Sequence, residues 1–403
     1  MNDFPAPAFA PVPGRLGPDP DLHAALLAAR DASGWLRFDA FMQQALYHPQ
    51  AGYYTRSSPK LGERPESGSD FVTAPELTPL FGHTLAAQVT ELLQASGTQT
   101  VLELGAGSGA LAEALLDVLP PHVAYRILDV SPSLRGRQAQ RLARFGERVQ
   151  WLEALPESFE GVILGNELLD AVPVRVVVRS VDDEPAWRER GAVWDDTANA
   201  WQWQDRPLDR ALLAAQDARC AGLLDEIAPQ LPPGYTSEIH PQGQALVGTL
   251  AARLKRGAML WLDYGFEERT YYHPQRATGT LMCHRAHRAD DQPLAEPGEK
   301  DITAHVNFTG VALAAQDAGL DVLGYTSQGR FLINCGLPQR LAELPQATAQ
   351  ERVASARTTA NAHKLWAEHE MGELFKVLLL GRGLDATRHW LGFAQGDRTG
   401  ALG

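Results

Sequence analysis

Three glycines at alternate positions follow an acidic residue in VLELGAGSGALAEALLDVLP, residues 101–120. The glycines are Gly105, Gly107 and Gly109, and Glu103 lies two residues before the first of them. Glycine permits a sharp bend and a close approach of the backbone to a ligand, and the amphipathic helix that follows offers unpaired amides at its start. A carboxylate inside a buried strand is costly unless a cation or a hydrogen-bond donor compensates it. The segment therefore predicts a ligand-binding turn with a buried acid beside it.

Two classes of cofactor fit a turn of this kind. Residues 105–110, GAGSGA, satisfy the dinucleotide fingerprint G-x-G-x-x-G/A, so an NAD-dependent oxidoreductase is one candidate. However, Glu103 would repel a pyrophosphate, whereas S-adenosylmethionine carries an ammonium and a sulfonium that an acid attracts. Asp129, about 20 residues past the turn, is expected to hold two ribose hydroxyls of either cofactor and does not separate the two classes. The acid therefore favours S-adenosylmethionine.

A second group of polar residues lies in GNELLDAVP, residues 165–173, after the fourth predicted strand. Asn166 and Glu167 are expected at the carboxyl edge of the sheet, where open α/β sheets bind ligands. Asp170 is expected one helical turn after Glu167, so that two acids face the transferable methyl group. The alternatives are a helix cap for Asn166 and a solvated loop acid for Asp170.

Strands alternate with helices along most of the chain, and this alternation predicts an α/β fold with a parallel sheet. Residues 174–235 alternate apolar with polar residues and are expected to form antiparallel hairpins, inserted between strands four and five, followed by a helix over about 210–228. Residues 266–305 are expected to be irregular and to lie over a site. The sheet strands are predicted in VLELG, AYRILDV, RVQWL, GVILGN, the end of QALVGTLAARLKRGAMLWLDYG, LDVLGYTSQ and FKVLLLG.

The irregular stretch contains His284, His287 and His305, whose spacing lacks a third ligand of a recognised metal site. A hydrogen-bonded network is favoured over a metal ion, with substrate gating as the other alternative. The expected division of the chain is a disordered Pro-rich tail (1–21), an N-terminal helical lid segment (22–77), the first part of the cofactor-binding domain (78–173), an inserted α+β substrate subdomain (174–235), the second part of the cofactor-binding domain (236–383) and a C-terminal tail (384–403).

Composition excludes several function classes. Thirty-six Lys and Arg against 49 Asp and Glu give a net charge of −13, which argues against a nucleic-acid surface. No stretch approaches the roughly 18 consecutive apolar residues of a membrane span, and the first 20 residues lack an export or transit pattern, so a cytoplasmic protein is expected. The 403 residues can fold without a partner, and the oligomeric state stays open, a dimer included.

Seven ordered segments between residues 22 and 383 give the chain a resemblance to the MidA family. They are FMQQALYHPQAGYY, SGSDFVTAPELTPLFGHTLA, LELGAGSG, NELLDAVPV, GTLMCHRAHR, DITAHVNFT and MGELFKVLLLGRG. That family comprises class I S-adenosylmethionine-dependent methyltransferases, among them the mitochondrial complex I assembly methyltransferase that modifies a protein arginine. The resemblance implies a Rossmann-like sheet of about seven strands with helices on both faces, a bacterial member of the family, and a protein substrate, with a respiratory-complex subunit as one candidate.

The resemblance also implies roles for particular residues. The turn residues Glu103, Gly105, Ala106, Gly107 and Gly109, with Asp129 and Asn166, are expected to hold the cofactor. The segment DFVTAPE is expected to close the pocket through Asp70, Phe71, Thr73, Pro75 and Glu76. For a guanidinium acceptor, Glu167 and Asp170 are the expected catalytic acids, with Glu76 as a third. A non-catalytic assembly factor that keeps the cofactor fold is the remaining alternative to an enzyme.

Overall fold

The computed structural model describes residues 19–56, 73–181, 186–285 and 288–403. Within these ranges the chain forms sixteen strands and fourteen α-helices. The strands are β1 (Trp35–Arg37), β2 (Thr100–Leu104), β3 (Ala124–Leu128), β4 (Val149–Leu152), β5 (Phe159–Asn166), β6 (Arg175–Arg179), β7 (Trp187–Asp195), β8 (Ala200–Pro207), β9 (Thr236–Ile239), β10 (Leu254–Phe266), β11 (Met282–Arg285), β12 (Arg288–Asp290), β13 (Asp301–Thr303), β14 (Val306–Asn307), β15 (Asp321–Ser327) and β16 (Phe375–Arg382). The helices are α1 (Pro20–Ala28), α2 (Phe38–Tyr47), α3 (Ala74–Leu77), α4 (Leu80–Ser96), α5 (Ala110–Val118), α6 (Pro132–Leu142), α7 (Arg210–Gln216), α8 (Ala218–Ile227), α9 (Pro241–Arg253), α10 (Glu268–Tyr271), α11 (Phe308–Asp317), α12 (Gln328–Asn334), α13 (Leu337–Ala342) and α14 (Ala349–Trp366).

A large sheet has the strand order β15-β16-β10-β5-β2-β3-β4, and the two-residue β14 pairs with the end of β10. The strands from β10 to β4 are parallel, whereas β16 runs antiparallel between β10 and β15. This confirms the predicted α/β sheet of about seven strands. Because the parallel strands end at one edge, the residues that follow β2, β3 and β5 are brought together there.

Helices cover both faces of this sheet because successive strand residues point to opposite sides. On β10, Leu260 and Leu262 join an apolar cluster that includes residues of α4, α5 and α12. Met259 and Trp261 join a second cluster that includes residues of α9 and α11. Both faces of the strand are therefore buried, as expected for the centre of a parallel sheet.

A second, antiparallel sheet contains the strands of the expected insertion. Its strand order is β1-β7-β6-β9, and β8 pairs with β7 in a hairpin. The predicted antiparallel hairpins are present, but the sheet extends beyond the expected bounds of 174–235. Strand β9, residues 236–239, pairs with β6, and β1 from the N-terminal segment pairs with β7. The N-terminal segment and the insertion thus share one sheet.

Three sequence-based predictions are wrong in detail. The helix expected over residues 210–228 is two helices, because Asp217 is extended and its side chain accepts the Cys220 amide at the start of α8. Residues 266–305 are less irregular than expected, since β11, β12 and β13 form a small antiparallel sheet. The segment after residue 383, which was expected to be a tail, contributes Trp390 and Phe393 to the core.

Helix α1 begins at Pro20, inside the stretch expected to be a disordered tail. The rest of that stretch, residues 1–18, lies outside the described residues, and the predicted division into domains as a whole stays a prediction. Of the helices in the described ranges, none combines the length and the apolar character that crossing a membrane requires.

Candidate functional site

A cavity of about 1080 Å³ lies at the carboxyl ends of β2, β3 and β5. Of the predicted site residues that the structure describes, all but Gly109 line it: Thr73, Pro75, Glu76, Glu103, Gly105, Ala106, Gly107, Asp129, Asn166, Glu167 and Asp170. Gly109 lies just outside, at the start of α5. His284 and His305 also line the cavity, whereas Asp70, Phe71 and His287 lie outside the described residues. The strand ends therefore bring the predicted residues to one place.

The glycine turn has the backbone conformation that its sequence demands. Gly105, Gly107 and Gly109 have φ angles of 64°, 54° and 82°, in the left-handed region that residues with a Cβ atom rarely adopt. A Cβ atom on Gly105 would also lie 2.7 Å from the Cδ1 atom of Leu168. The backbone conformation of the turn and its closeness to Leu168 therefore require glycine. Because glycine has no side chain, the backbone that faces the cavity stays accessible to a ligand.

Glu103 lies on β2 and is 2% exposed. Its carboxylate accepts a hydrogen bond of 2.8 Å from the hydroxyl of Tyr125, on the neighbouring strand β3. Burial raises the pKa of Glu103 to about 8, and the nearby Asp129 adds to the rise, whereas the bond from Tyr125 lowers it. The acid is thus only partly compensated by the protein and faces a cavity that can accommodate a cation.

Asp129 directly follows β3 and is tied to the glycine turn. One oxygen accepts the Ser131 amide at 2.9 Å, and the other accepts the side-chain amide of Gln138 at 2.8 Å. The same Gln138 amide donates to the carbonyl of Gly107 at 2.9 Å. Burial raises the pKa of Asp129, against the lowering effect of these hydrogen bonds. Gln138 therefore fixes the distance between the turn and the acid, although no sequence motif marked it.

Glu167 follows the last residue of β5 and has a φ of 50°, which is uncommon for a residue with a side chain. Its amide donates to the carbonyl of Leu262 at 2.9 Å, and its carboxylate accepts the side-chain amide of Asn166 at 3.1 Å and the Ala74 amide at 3.2 Å. Burial raises the pKa of Glu167 to about 8, and the nearby Asp170 raises it further. The strained backbone aims a buried carboxyl group into the cavity.

Residues 167–170 are a turn, and the expectation that Asp170 lies one helical turn after Glu167 is wrong. The left-handed Glu167 prevents helix formation, yet both side chains still line the cavity. Burial raises the pKa of Asp170 to about 6, against a hydrogen bond from the Tyr264 hydroxyl that lowers it. Neither the solvated loop acid nor the helix cap considered for this segment matches the structure.

Two buried acceptor atoms in this turn lack a hydrogen-bond partner among the described residues. They are the Oδ1 atoms of Asn166 and Asp170, and both residues line the cavity. Because a buried polar atom without a partner is costly, such atoms mark places where a bound donor completes the structure. The turn therefore presents acceptors to a ligand that carries N–H groups or positive charge.

The contacts of Glu76 differ from those of the two other expected catalytic acids. Its carboxylate accepts a hydrogen bond from the Ser108 hydroxyl in the glycine turn. It also forms an ion pair of 3.4 Å with Arg141 on α6. The Arg141 guanidinium also donates to Ser108 at 2.6 Å. Glu76 thus links the short helix α3 to the glycine turn through its Oε1 atom.

Other residues of the wall were not found from the sequence. The Tyr54 hydroxyl donates to both oxygens of Asp301, at 2.9 Å and 3.0 Å, and its carbonyl accepts the Ser131 hydroxyl at 2.6 Å. The Tyr47 hydroxyl donates to the Ala171 carbonyl at 2.9 Å, and its ring stacks on that of Tyr54 at 5.6 Å. The only sequence signal for these residues was their place in the quoted segments FMQQALYHPQAGYY and DITAHVNFT. They add aromatic and acidic groups to the cavity.

The residues present fit S-adenosylmethionine. A glycine turn at a helix start, a buried acid on β2 and an acid after β3 are donors and acceptors for its amino acid end and its ribose. Partly compensated carboxyl groups suit its positive charges. NAD fits poorly, because its pyrophosphate would have to lie at the turn beside Glu103.

Comparisons with known proteins agree with this geometry. Residues 84–326 match a protein family described as "Putative S-adenosyl-L-methionine-dependent methyltransferase". A Burkholderia thailandensis protein whose crystal structure contains bound S-adenosyl-homocysteine is 44% identical, with a TM-score of 0.84 over 97% of this chain and 99% of that one. A mitochondrial protein arginine methyltransferase NDUFAF7 homolog of Drosophila melanogaster is 28% identical over 85% of this chain and 81% of its own length. The human protein arginine methyltransferase NDUFAF7 is 25% identical over 87% of this chain and 80% of its own length.

The family match spans more than half of the 403 residues, and the Burkholderia structure covers nearly all of them. The cofactor is S-adenosylmethionine, and an NAD-dependent oxidoreductase is no longer an alternative. The chain therefore belongs to the family of S-adenosylmethionine-dependent methyltransferases, which confirms its resemblance to the MidA family.

Proposed function

We propose that this methyltransferase acts on a guanidinium nitrogen of an arginine in a protein. The observation that carries the proposal is the pair of acids in one turn at the wall of the cavity, the half-buried Glu167 and the buried Asp170, with an unpartnered acceptor atom on Asp170 among the described residues. A guanidinium is planar, permanently charged and rich in N–H donors, so it supplies what these acceptors lack. Relatives named protein arginine methyltransferases support the same acceptor.

The cofactor is held, in this proposal, by the residues that line the other half of the cavity. Glu103 binds the ammonium group, the amides of the turn at Gly105, Ala106 and Gly107 contact the amino acid end, and Asp129 accepts from the ribose hydroxyls. Gly109 allows the turn to enter α5. Asn166 lies between the two halves, and Thr73 and Pro75 close the cavity from the side of α3.

When bound, S-adenosylmethionine supplies a methyl group on a positively charged sulfur, which is transferred by in-line displacement. The protein contributes orientation and exclusion of water, because the acceptor nitrogen must approach the methyl group along one line. Glu167 and Asp170 hold the planar fork of the guanidinium and keep the electrons of one nitrogen available. A carboxylate of Glu167, whose pKa is raised to about 8 by burial, receives the proton that this nitrogen loses. Glu76 helps to close the cavity, since its Oε1 atom is bonded to Ser108 and Arg141 beside the glycine turn.

The acceptor protein is proposed by class only. A respiratory-complex subunit is the candidate that the MidA resemblance suggests, and a cytoplasmic location stays a prediction. The arginine acceptor is proposed from the acidic pair together with the names of the relatives.

Replacing Glu167 by Gln tests the proposed role. We expect E167Q to bind S-adenosyl-homocysteine within about three-fold of the wild type in calorimetry, because the side chain keeps its size and the cofactor groups lie elsewhere. Transfer of labelled methyl from S-adenosylmethionine to lysate proteins is expected to fall at least 100-fold, the range of a lost general base. Asp170→Asn is expected to behave similarly.

Glu160→Gln is the matched control, since Glu160 lies on the same strand β5 but is exposed and pairs with Arg256 on the surface. It is expected to retain wild-type transfer. Mass spectrometry of the labelled acceptor must find methylarginine. Methylation of another residue type would refute the arginine acceptor, and equal loss of binding and transfer in E167Q would refute the role of Glu167.

A further inference from the structure

The turn that carries both acids is held by a third acid that does not line the cavity. Asp263 lies on β10, is 1% exposed, and its Oδ2 atom accepts the amides of Leu168, Leu169 and Asp170 at 3.1 Å, 2.8 Å and 3.3 Å. Its Oδ1 atom accepts the amide of Tyr264 at 3.0 Å. Four backbone amides therefore converge on one buried carboxyl group, an arrangement that fixes a turn as an anion fixes a nest of amides.

The next residue, Tyr264, holds the side chain of one acid. Its hydroxyl is close enough to the Asp170 carboxyl group to lower the pKa of that group. The Tyr264 ring packs against Phe375 and His305, with ring centroids 5.2 Å away from each, and Tyr264 also lines the cavity. One dipeptide thus restrains both the backbone of residues 168–170 and the carboxyl group at their end.

The restraint matters because the turn is not a conformation that its own sequence favours. Glu167 has a φ of 50°, a left-handed value that costs on the order of 1–3 kcal/mol for a residue with a side chain unless the surroundings enforce it. The amide of Glu167 is bonded to Leu262, directly before Asp263, so β10 supplies each of these backbone restraints. Without Asp263, the three amides of the turn would be buried without an acceptor.

We infer that Asp263 is a positioning residue for methyl transfer, which sets the directions of the Glu167 and Asp170 carboxyl groups without contacting the acceptor, and that Tyr264, in the cavity wall beside Asp170, supports the same carboxyl group. The inference rests on the proposed function only for the role of those two acids. A misplacement of about 1 Å in an aligned site is enough to cost about 100-fold in rate. Cofactor binding is expected to be nearly unaffected, because Glu103 and Asp129 lie on other strands.

Asp263→Ala and Asp263→Asn test this inference together. D263A is expected to reduce methyl transfer at least 100-fold while S-adenosyl-homocysteine binds within about three-fold of the wild type. Hydrogen exchange at the amides of residues 168–170 is expected to be at least 10-fold faster in D263A. D263N retains an oxygen acceptor, so its transfer is expected within about 10-fold of the wild type, with nearly native exchange.

Tyr264→Phe provides a second test that leaves the ring packing intact, should D263A fail to fold. It removes only the hydroxyl that lies near the Asp170 carboxyl group, and we expect transfer to fall about 10-fold with unchanged S-adenosyl-homocysteine affinity. Asp195→Ala is the control, because Asp195 also accepts two turn amides, from Thr197 and Ala198, but in a hairpin of the second sheet. It is expected to retain full transfer.

Three results would overturn the inference. They are native exchange at residues 168–170 in D263A, a loss of cofactor affinity as large as the loss of transfer, and wild-type transfer in both D263N and Y264F when D263A does not fold. Loss of transfer in D263N with native exchange would also overturn it, by showing that the charge rather than the acceptor is needed. If E167Q and D170N are fully active, the proposed function fails, yet exchange and affinity in D263A still decide whether Asp263 holds the turn.

Discussion

At the scale of single residues, the cavity places three carboxyl groups in a medium that disfavours their charge. Burial raises the pKa of Glu103 to about 8, of Glu167 to about 8 and of Asp170 to about 6. Each group would be easier to bury as an amide, so their presence implies positively charged ligands that return the pKa values toward the ordinary range. Burial of these carboxyl groups therefore lowers the stability of the ligand-free protein, and this penalty is removed when positively charged ligands bind.

That penalty predicts a pH dependence of stability in the ligand-free protein. A buried acid whose pKa is raised binds its proton more tightly in the folded state, so stability is full below about pH 4.5 and is lost as the pH rises toward 8. Replacing Glu103 by Gln removes this loss for one group, which amounts to at most about 5 kcal/mol. We expect the thermal midpoint of E103Q to exceed that of the wild type more at pH 8.5 than at pH 5.

The comparison uses the difference between two proteins, because other buried groups titrate equally in both. Glu153→Gln serves as a control, since Glu153 is exposed and forms a surface pair with Arg135. Its difference from the wild type is expected to be small at both pH values. Parallel pH curves for E103Q and wild type would show that Glu103 is compensated within the protein.

Sequence alone located the acids that follow the strands, because strand ends in a parallel sheet converge on one edge. It did not find Asp263, which reads as one acid at the end of an apolar strand, nor Gln138, which lies on a polar helix. Both act through backbone groups of another segment. Such contacts depend on how strands and helices pack, and the spacing of residues along the sequence does not predict them.

At the scale of elements, the short helix α3 contacts the two loops that are proposed to bind the cofactor and the acceptor. Its first amide, from Ala74, donates to Glu167, and Glu76 bonds to Ser108 and Arg141 at the glycine turn. The helix therefore connects the proposed catalytic turn with the proposed cofactor turn, and it has only four residues to hold itself in place. We infer that its side-chain contacts keep it over the cofactor.

Replacing Arg141 by Ala is expected to loosen this contact. The pair is partly exposed, and such pairs contribute up to about 1 kcal/mol, so we expect S-adenosyl-homocysteine to bind about three- to five-fold more weakly, mainly through faster dissociation. Stopped-flow or surface-binding kinetics measure this directly. Arg144→Ala is the matched control, because Arg144 pairs with Glu113 and Asp117 on the surface. Equal kinetics in both variants would exclude the role of α3.

The elements that sequence predicted best are those whose periodicity is long. The strands of the large sheet and the helices between them were identified because apolar residues recur over whole turns or strands. Strands β11, β12 and β13 have four, three and three residues, too few for a pattern, and they were taken for irregular chain. The break at Asp217 was hidden because both helices continue the same apolar spacing.

At the scale of the whole molecule, the cavity wall is assembled from three separate parts of the chain. The large sheet provides the glycine turn and the acidic turn, the small sheet provides Asp301, and the N-terminal segment provides Tyr47 and Tyr54. The N-terminal segment is attached to the second sheet through β1, whose Trp35 side chain also donates to the Gln204 carbonyl at 3.0 Å. The position of the two tyrosines therefore depends on a pairing far along the chain.

Gly191 makes that attachment testable, since it pairs with Arg37 where β1 meets β7. A Cβ atom there would lie 2.4 Å from the ring of Trp35 and 2.5 Å from the carbonyl oxygen of Leu36, so the strand must shift. We expect Gly191→Ala to destabilise the protein by about 1–3 kcal/mol. Because β1 leads into α2 and then to Tyr47 and Tyr54, methyl transfer is also expected to fall several-fold at temperatures where the protein is folded.

Gly222→Ala is the matched control for the same chemical change. Gly222 lies exposed within α8, where an added Cβ atom meets no atom within 4 Å, and alanine favours a helix by about 0.5–1 kcal/mol over glycine. Thermal unfolding and methyl transfer measured on both variants separate the two cases. If G191A transfers methyl groups as well as G222A does, the wall of the cavity does not depend on β1, and other contacts hold the N-terminal segment, among them those of Tyr47 with Ala171 and of Tyr54 with Asp301 and Ser131.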